Sequence, residues 1–319
     1  HADGYTLSVG ALQLAGEATA TANAGATATI ASAITGTASL TKTGSGALIL
    51  NGATSYTGDT TVDGGTLILS SASSNTFATG DYYVNNGTLQ VGDSEISVMV
   101  FTNAARTITV NSGGTLSFIN RNAFGAAQAM PLTAVVIDGG TVTSSTGSVG
   151  ATNVLRNLTL RNGANLEVTK PLGPYATYNL KDTVTVGGTS PSSITLASGG
   201  TGWIGIGDSI HADTVTTFDV ADVTGDQAAE LIVSASIRNG YNNGSLASGL
   251  TKTGAGTMTM NAANTHTGPT TVNAGTLHVG STGSLTAGLP VHLAEGAEYK
   301  VTLSPANFGN VHSQLTSSA

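Results

Sequence analysis

Apolar residues in this chain come in short alternating runs, and long amphipathic stretches are missing. TTVDGGTLIL (60–69), YYVNNGTLQV (82–91), ITVNSGGTLSF (108–118), VVIDGGTVTS (135–144), LTLRNGANLEV (158–168), TTVNAGTLHV (270–279) and VHLAEGAEYKV (291–301) follow one plan. A strand with an apolar end meets Asn, Asp or Gly, a small residue follows, and a second strand begins. Alternation of period two puts one face of each strand in a dry interior and the other in water. The anchoring residues Val62, Val84, Val110, Ile137, Leu160 and Val186 are separated by 22, 26, 27, 23 and 26 residues, and Val272 and Leu293 by 21. Strands recurring at this period, without helices, predict one solenoid coil per unit. Leucine-rich repeats share the length but need a Leu and Asn spacing that is missing here. A propeller blade needs about 40–50 residues.

The expected fold is therefore all-β: a right-handed parallel β-helix spanning 1–319 as a single domain. At roughly 23 residues per coil it holds roughly 13–14 coils, and strands stacked about 4.8 Å apart make a rod on the order of 60 Å long. Gly and Asn at the corners supply the positive φ that a tight turn requires. The period falters near 121–130, 171–178 and 187–249, where loop insertions are expected.

A longer repeat underlies the short one. LTKTGSGALILNGATSYTGDTTVDGGTLIL (40–69) and LTKTGAGTMTMNAANTHTGPTTVNAGTLHV (250–279) align without a gap, and 16 of the 30 positions are identical. Leu48 and Leu50 become Met258 and Met260, and Leu67 and Leu69 become Leu277 and Val279. The residue between each pair changes from Ile to Thr or His, so it faces water. Asp59 becomes Pro269, which marks a corner, because Pro cannot donate to a ladder. The positions expected to carry the repeat are Leu40, Gly44, Gly46, Leu48, Leu50, Val62, Gly65, Leu67 and Leu69, with Leu250, Gly254, Gly256, Met258, Met260, Val272, Gly275, Leu277 and Val279 as counterparts.

The motif L-T-K-T-G-x-G, followed downstream by T-x-V-x-x-G-T-L, resembles the passenger-associated transport repeat of autotransporter-type proteins. Both copies match it over about 60 residues in all. The resemblance implies a secreted or surface-displayed passenger from a Gram-negative-type envelope, with a repeat that serves folding and transport and brings no catalytic residues. Residues 280–319 are too few for an eight-stranded barrel of ten-residue strands. The expectation is a passenger, a fragment of one, or a relative exported by another route, with no membrane insertion by this chain.

Composition narrows the function. Charged residues make up 9% of the chain, too few for many amphipathic surface helices. The formal net charge is −8 and the ten Lys and Arg are scattered, which argues against nucleic-acid binding. Cys is absent, which excludes disulfides and thiolate metal sites. No stretch approaches the ~18–20 apolar residues of a membrane span.

Candidate chemistry is sparse. Asp222, Thr224, Asp226 and Glu230 alternate like the oxygen ligands of a weak calcium loop around Gly225, although the spacing departs from the EF-hand. Tyr82, Tyr83, Tyr175, Tyr178 and Trp203 are candidates for stacking on sugar rings. Arg106, Arg121, Arg156 and Arg161 are the only candidate base cluster for a polysaccharide lyase, and no carboxylate trio accompanies them. Gly207-Asp208-Ser209-Ile210 resembles an esterase motif but lies mid-chain in an all-β pattern, with His211 too close to Ser209 to act as its base. His1 could chelate a metal only with a second His in register. His266, His278 and His292 are expected at the surface.

The expected function is therefore non-enzymatic and cofactor-free: an extracellular stiff rod for display, adhesion or self-assembly, with copies of itself end to end as partner. The Ala- and Thr-rich residues 1–39 are the expected contact with a neighbouring subunit. The alternative is a carbohydrate-binding or lyase-type β-helix with surface polysaccharide as ligand.

Overall fold

The computed structural model describes residues 4–70, 77–94, 101, 105–119, 122–124, 133–144, 152–169, 175–207, 214–240, 246–305 and 307–308. Its strands pair in parallel and form a β-solenoid. One sheet holds 13 strands, from Tyr5–Leu7 to Glu298–Val301, and a second holds 12, from Ala18–Thr21 to Val291–Leu293. The chain alternates between them at each turn, so every strand of the second sheet is followed by one of the first. Thirteen rungs agree with the coil number expected from the sequence. No helix among the described residues is long and apolar enough to cross a membrane.

Anchors predicted from the period stack in register. Val62, Val84, Val110, Ile137, Leu160 and Val186 form one row of the second sheet, which Lys42 precedes and Val220 continues. Leu48, Leu67, Leu89, Leu116, Val142, Leu166 and Ile194 form the matching row of the first. Val233, Met260, Val279 and Val301 continue it. The period-two burial pattern recurs from strand to strand, as in Arg106–Asn111 and Thr133–Asp138. Inward residues from both sheets merge into one apolar cluster along the axis.

The region 187–249, where insertions are expected, keeps the parallel pairing of the sheets in its described residues; 208–213 and 241–245 lie outside them. Val186 pairs with Val220, and Phe218 with Lys252, so two coils are 34 residues long. The middle coils also carry a strand on a third face. Asn153–Arg156, Tyr178–Lys181, Trp203–Ile206 and Ser236–Asn239 form a four-stranded parallel sheet of their own. Tyr178, placed in the 171–178 loop by the sequence, begins one of these strands; residues 171–174 lie outside the described residues. So do most of 121–130, apart from Asn122, Ala123 and Phe124.

An aromatic column lines the interior. Phe77, Phe101 and Phe124 come from successive coils, with ring centroids 6.3 Å and 5.5 Å apart. Tyr82 meets Phe101 edge-on at 5.4 Å, and Phe118 meets Phe124 at 5.4 Å. The Arg106 guanidinium lies 5.5 Å from the Phe101 ring centre. Outside, Asn85 donates to Asp63 at 2.8 Å and Asn111 to Asn85 at 2.7 Å, a ladder of side chains linking corners one coil apart.

Candidate functional site

The two long repeats build the same corner twice. Leu40–Thr43 and Ser248–Thr253 are strands of the second sheet, and alternation from Leu40 or Leu250 places Lys42 or Lys252 on the core face. Both lysines are fully buried. An ammonium buried among aliphatic side chains is costly unless its donors are satisfied. Lys42 Nζ donates to the carbonyls of Thr43, Gly44 and Gly64, each at 2.9 Å. Lys252 Nζ donates to those of Thr253, Gly254 and Ala274 at 2.7, 2.8 and 3.1 Å. Each lysine thus ties its own corner to the corner one coil later.

Burial draws the Lys252 pKa down to about 8, against the opposing pull of the Asp219 and Glu230 carboxylates. Burial also lowers that of Lys42. The glycines of the motif complete the corner. Gly44 and Gly254 both have φ +74°, the left-handed region that other residues avoid. A side chain at Gly46 would sit 2.2 Å from the Asn23 carbonyl oxygen, and one at Gly256 2.3 Å from that of Ala221. The remaining apolar repeat positions, from Leu40 to Leu69 and from Leu250 to Val279, are buried as expected.

A second shared feature lies at the next corner. Tyr56 OH bonds Thr60 Oγ1 at 2.6 Å, and at the equivalent place His266 Nε2 bonds Thr270 Oγ1 at 2.9 Å. His266 was expected at the surface and is buried, because it fills the position of the interior Tyr56. Burial lowers its pKa to about 4. The unfolded state therefore binds the proton first, so stability is intact above pH 6.5 and falls as pH drops towards 4. The loss is about 3 kcal/mol. His266→Tyr is expected to remove this component, read as a flatter dependence of Tm on pH between 6.5 and 4. His278 does face outward, with Nε2 2.8 Å from Thr302 Oγ1, and His292 is exposed. His1 lies outside the described residues.

The candidate sugar platforms do not form a surface. Tyr82, Tyr178 and Trp203 are buried, and only Tyr83 and Tyr175 are partly exposed. Tyr82 shares the inward face with Val84. Trp203 is covered and stacks with the Arg238 guanidinium, 5.2 Å from its ring centre.

The acidic segment does come together, as a turn bonded to itself. Thr224 Oγ1 lies 2.9 Å from Asp226 Oδ1 and 2.7 Å from Glu230 Oε1. Asp222 Oδ1 accepts from Gly225 N–H at 2.7 Å, and Asp226 Oδ1 from Ala228 N–H at 2.7 Å. The Ala228 amide, then the Thr224 hydroxyl, hold the Asp226 carboxyl below its usual pKa. Glu230 Oε2 accepts from Thr257 N–H. Among the described residues no three His, Asp or Glu side chains stand together as a metal site requires.

The arginines do not converge either. Arg106 is buried and donates to the Ala78 carbonyl. Arg156 pairs with Asp182, and Arg161 with Asp138 at 2.9 Å. Arg121 lies outside the described residues, as do Asp208, Ser209, Ile210 and His211 of the esterase-like stretch.

The family described as passenger-associated-transport-repeat matches residues 40–69 and 250–279, the two segments that build the lysine corners. No curated protein and no solved structure matches the chain.

Proposed function

From two passenger-associated-transport repeats set in one continuous parallel solenoid, we propose that this chain is the shaft of an autotransporter-type passenger, displayed outside a Gram-negative cell. It acts by spacing and display and carries out no catalysis. The observation that supports this best is the placement of the repeats. Each ties neighbouring rungs of sheets that run from Tyr5 to Val301, so the repeats reinforce a rod. Arg156 and Arg161 engaged in ion pairs, the buried Arg106, and the buried Tyr82, Tyr178 and Trp203 count against the lyase and sugar-binding readings.

Cells producing the protein with its native flanking sequence should bind an antibody against it without permeabilisation. External protease should remove that signal. Label appearing only after permeabilisation would overturn the surface assignment, and turnover of an acidic glycan by pure protein would overturn the non-catalytic one.

A further inference from the structure

Asparagine followed by glycine is chemically labile, because no side chain on the next residue shields its backbone nitrogen from the asparagine carboxamide carbon. The described residues contain four such pairs, Asn51-Gly52, Asn86-Gly87, Asn162-Gly163 and Asn239-Gly240; Asn243-Gly244 lies outside them. Three of the four asparagine side chains are held. Ser70 Oγ donates to Asn51 Oδ1 at 2.9 Å. Asn162 Nδ2 donates to Asp138 Oδ1 at 2.5 Å, and its Oδ1 accepts from the Thr189 amide at 2.9 Å. Asn239 is buried, donates to Thr267 Oγ1 at 2.8 Å, and accepts from the amides of Thr267 and Ser248 at 2.8 and 3.2 Å. Asn86 differs. It is exposed at the corner between Tyr82–Val84 and Gly87–Val91, and its side chain makes no hydrogen bond to a described residue. Its neighbour Asn85 is bonded into the ladder between Asp63 and Asn111, so the free amide is a property of position 86 alone at this corner.

We infer that Asn86 is a self-modification site, at which the chain converts its own side-chain amide to aspartate and isoaspartate. The Gly87 nitrogen, its proton taken by hydroxide, attacks Asn86 Cγ and closes a succinimide ring. The Cγ–Nδ2 bond breaks, and the nitrogen takes a proton from water and leaves as ammonia. Water then opens the ring at either carbonyl. Both products carry a new carboxylate, and isoaspartate also adds one methylene to the backbone. The attacking nitrogen is held as loosely as its target. Gly87 N–H donates to the Gly113 carbonyl only at 3.4 Å, beyond the usual span of such a bond. The backbone beside it is tightly packed, since a carbon added at Gly87 would lie 2.6 Å from the Gly65 carbonyl oxygen. Gly87 pairs with Gly114, and Thr88 with Thr115 and Thr66, in the adjacent coils. A lengthened backbone at 86 therefore loosens this corner from both neighbours, while the coils beyond them keep their pairing. The chemistry needs only water, so it stands apart from the display reading above.

Peptide mapping by mass spectrometry, during incubation of the full chain in mildly alkaline buffer, tests this, with isoaspartate counted by methyltransferase labelling. Asn86 should react ahead of Asn51, Asn162 and Asn239 by about tenfold, the factor set by about 1.4 kcal/mol of hydrogen bonding that the others must break. In denaturant the four should react at similar rates, which assigns the lead to the fold. Asn86→Gln, whose longer side chain closes a ring slowly, should remove the early product and leave Tm unchanged. Asp138→Ala frees Asn162 Nδ2 and should raise the rate at Asn162 without altering that at Asn86. Hydrogen exchange of the aged protein should show lost protection in 82–91, 66–69 and 114–118 and full protection at 250–279. Equal rates at the four pairs in the folded protein, or a faster reaction at any of the other three, overturns the site. Unchanged protection in the aged protein overturns its effect on the rung.

Discussion

Replacing Phe101 by Ala is expected to destabilise the middle of the solenoid by about 3–5 kcal/mol, the usual cost of deleting a buried aromatic ring. Phe101 is fully buried and touches Phe77, Tyr82 and Phe124, so it is the hub of a column contributed by consecutive coils. Its loss removes three ring contacts together, and the two neighbours on the axis cannot close the gap without shifting their own corners. The Arg106 guanidinium also loses the ring beside it. Phe101→Leu keeps most of the volume and should cost less than half as much. Thermal unfolding of the two variants beside the native protein checks this. Hydrogen exchange should place the lost protection around residues 77–142 and leave the repeat at 250–279 protected, because a solenoid transmits stability chiefly to neighbouring coils. Uniform loss of protection along the whole chain would contradict the nearest-neighbour account.

The rows of the core were legible in the sequence because inward positions repeat at a steady period and each row needs only an apolar side chain. Val62, Val84 and Val110 could be aligned by counting, and they are paired in register. What could not be counted was the third face. Its four-stranded sheet lies in the middle coils, and Tyr178–Lys181 and Trp203–Ile206 are buried on both faces, so they carry no period-two signature. That is why Trp203 reads as an exposed platform. Tyr82 was a different kind of miss. Val84 is inward by its period, and two residues earlier on a strand is the same face, so alternation alone places Tyr82 inside. Composition argued for a sugar platform, and local geometry outranked it.

The lysine corner was missed for the same reason, and it yields the second large effect. Lys42 lies two residues after Leu40 and is identical in the other copy, two signals that together meant an interior charge with a dedicated partner set. Lys42→Met keeps the length of the stem and removes the ammonium. The carbonyls of Gly44 and Gly64 then lose their donor inside the solenoid, at about 1–3 kcal/mol each. Relief of the buried charge offsets part of that cost, so the net loss is expected to be about 3 kcal/mol. Lys252→Met should behave alike through Gly254 and Ala274. The two corners are separated by most of the rod and share no partner, so the double variant should lose nearly the sum of the single losses. Chemical denaturation of the three variants measures this, with hydrogen exchange showing the first single change confined to the N-terminal third and the second to the C-terminal third. A methionine variant as stable as the native protein would mean that the three carbonyls are satisfied without the ammonium, and the lysine would then need another explanation for its place in both repeats.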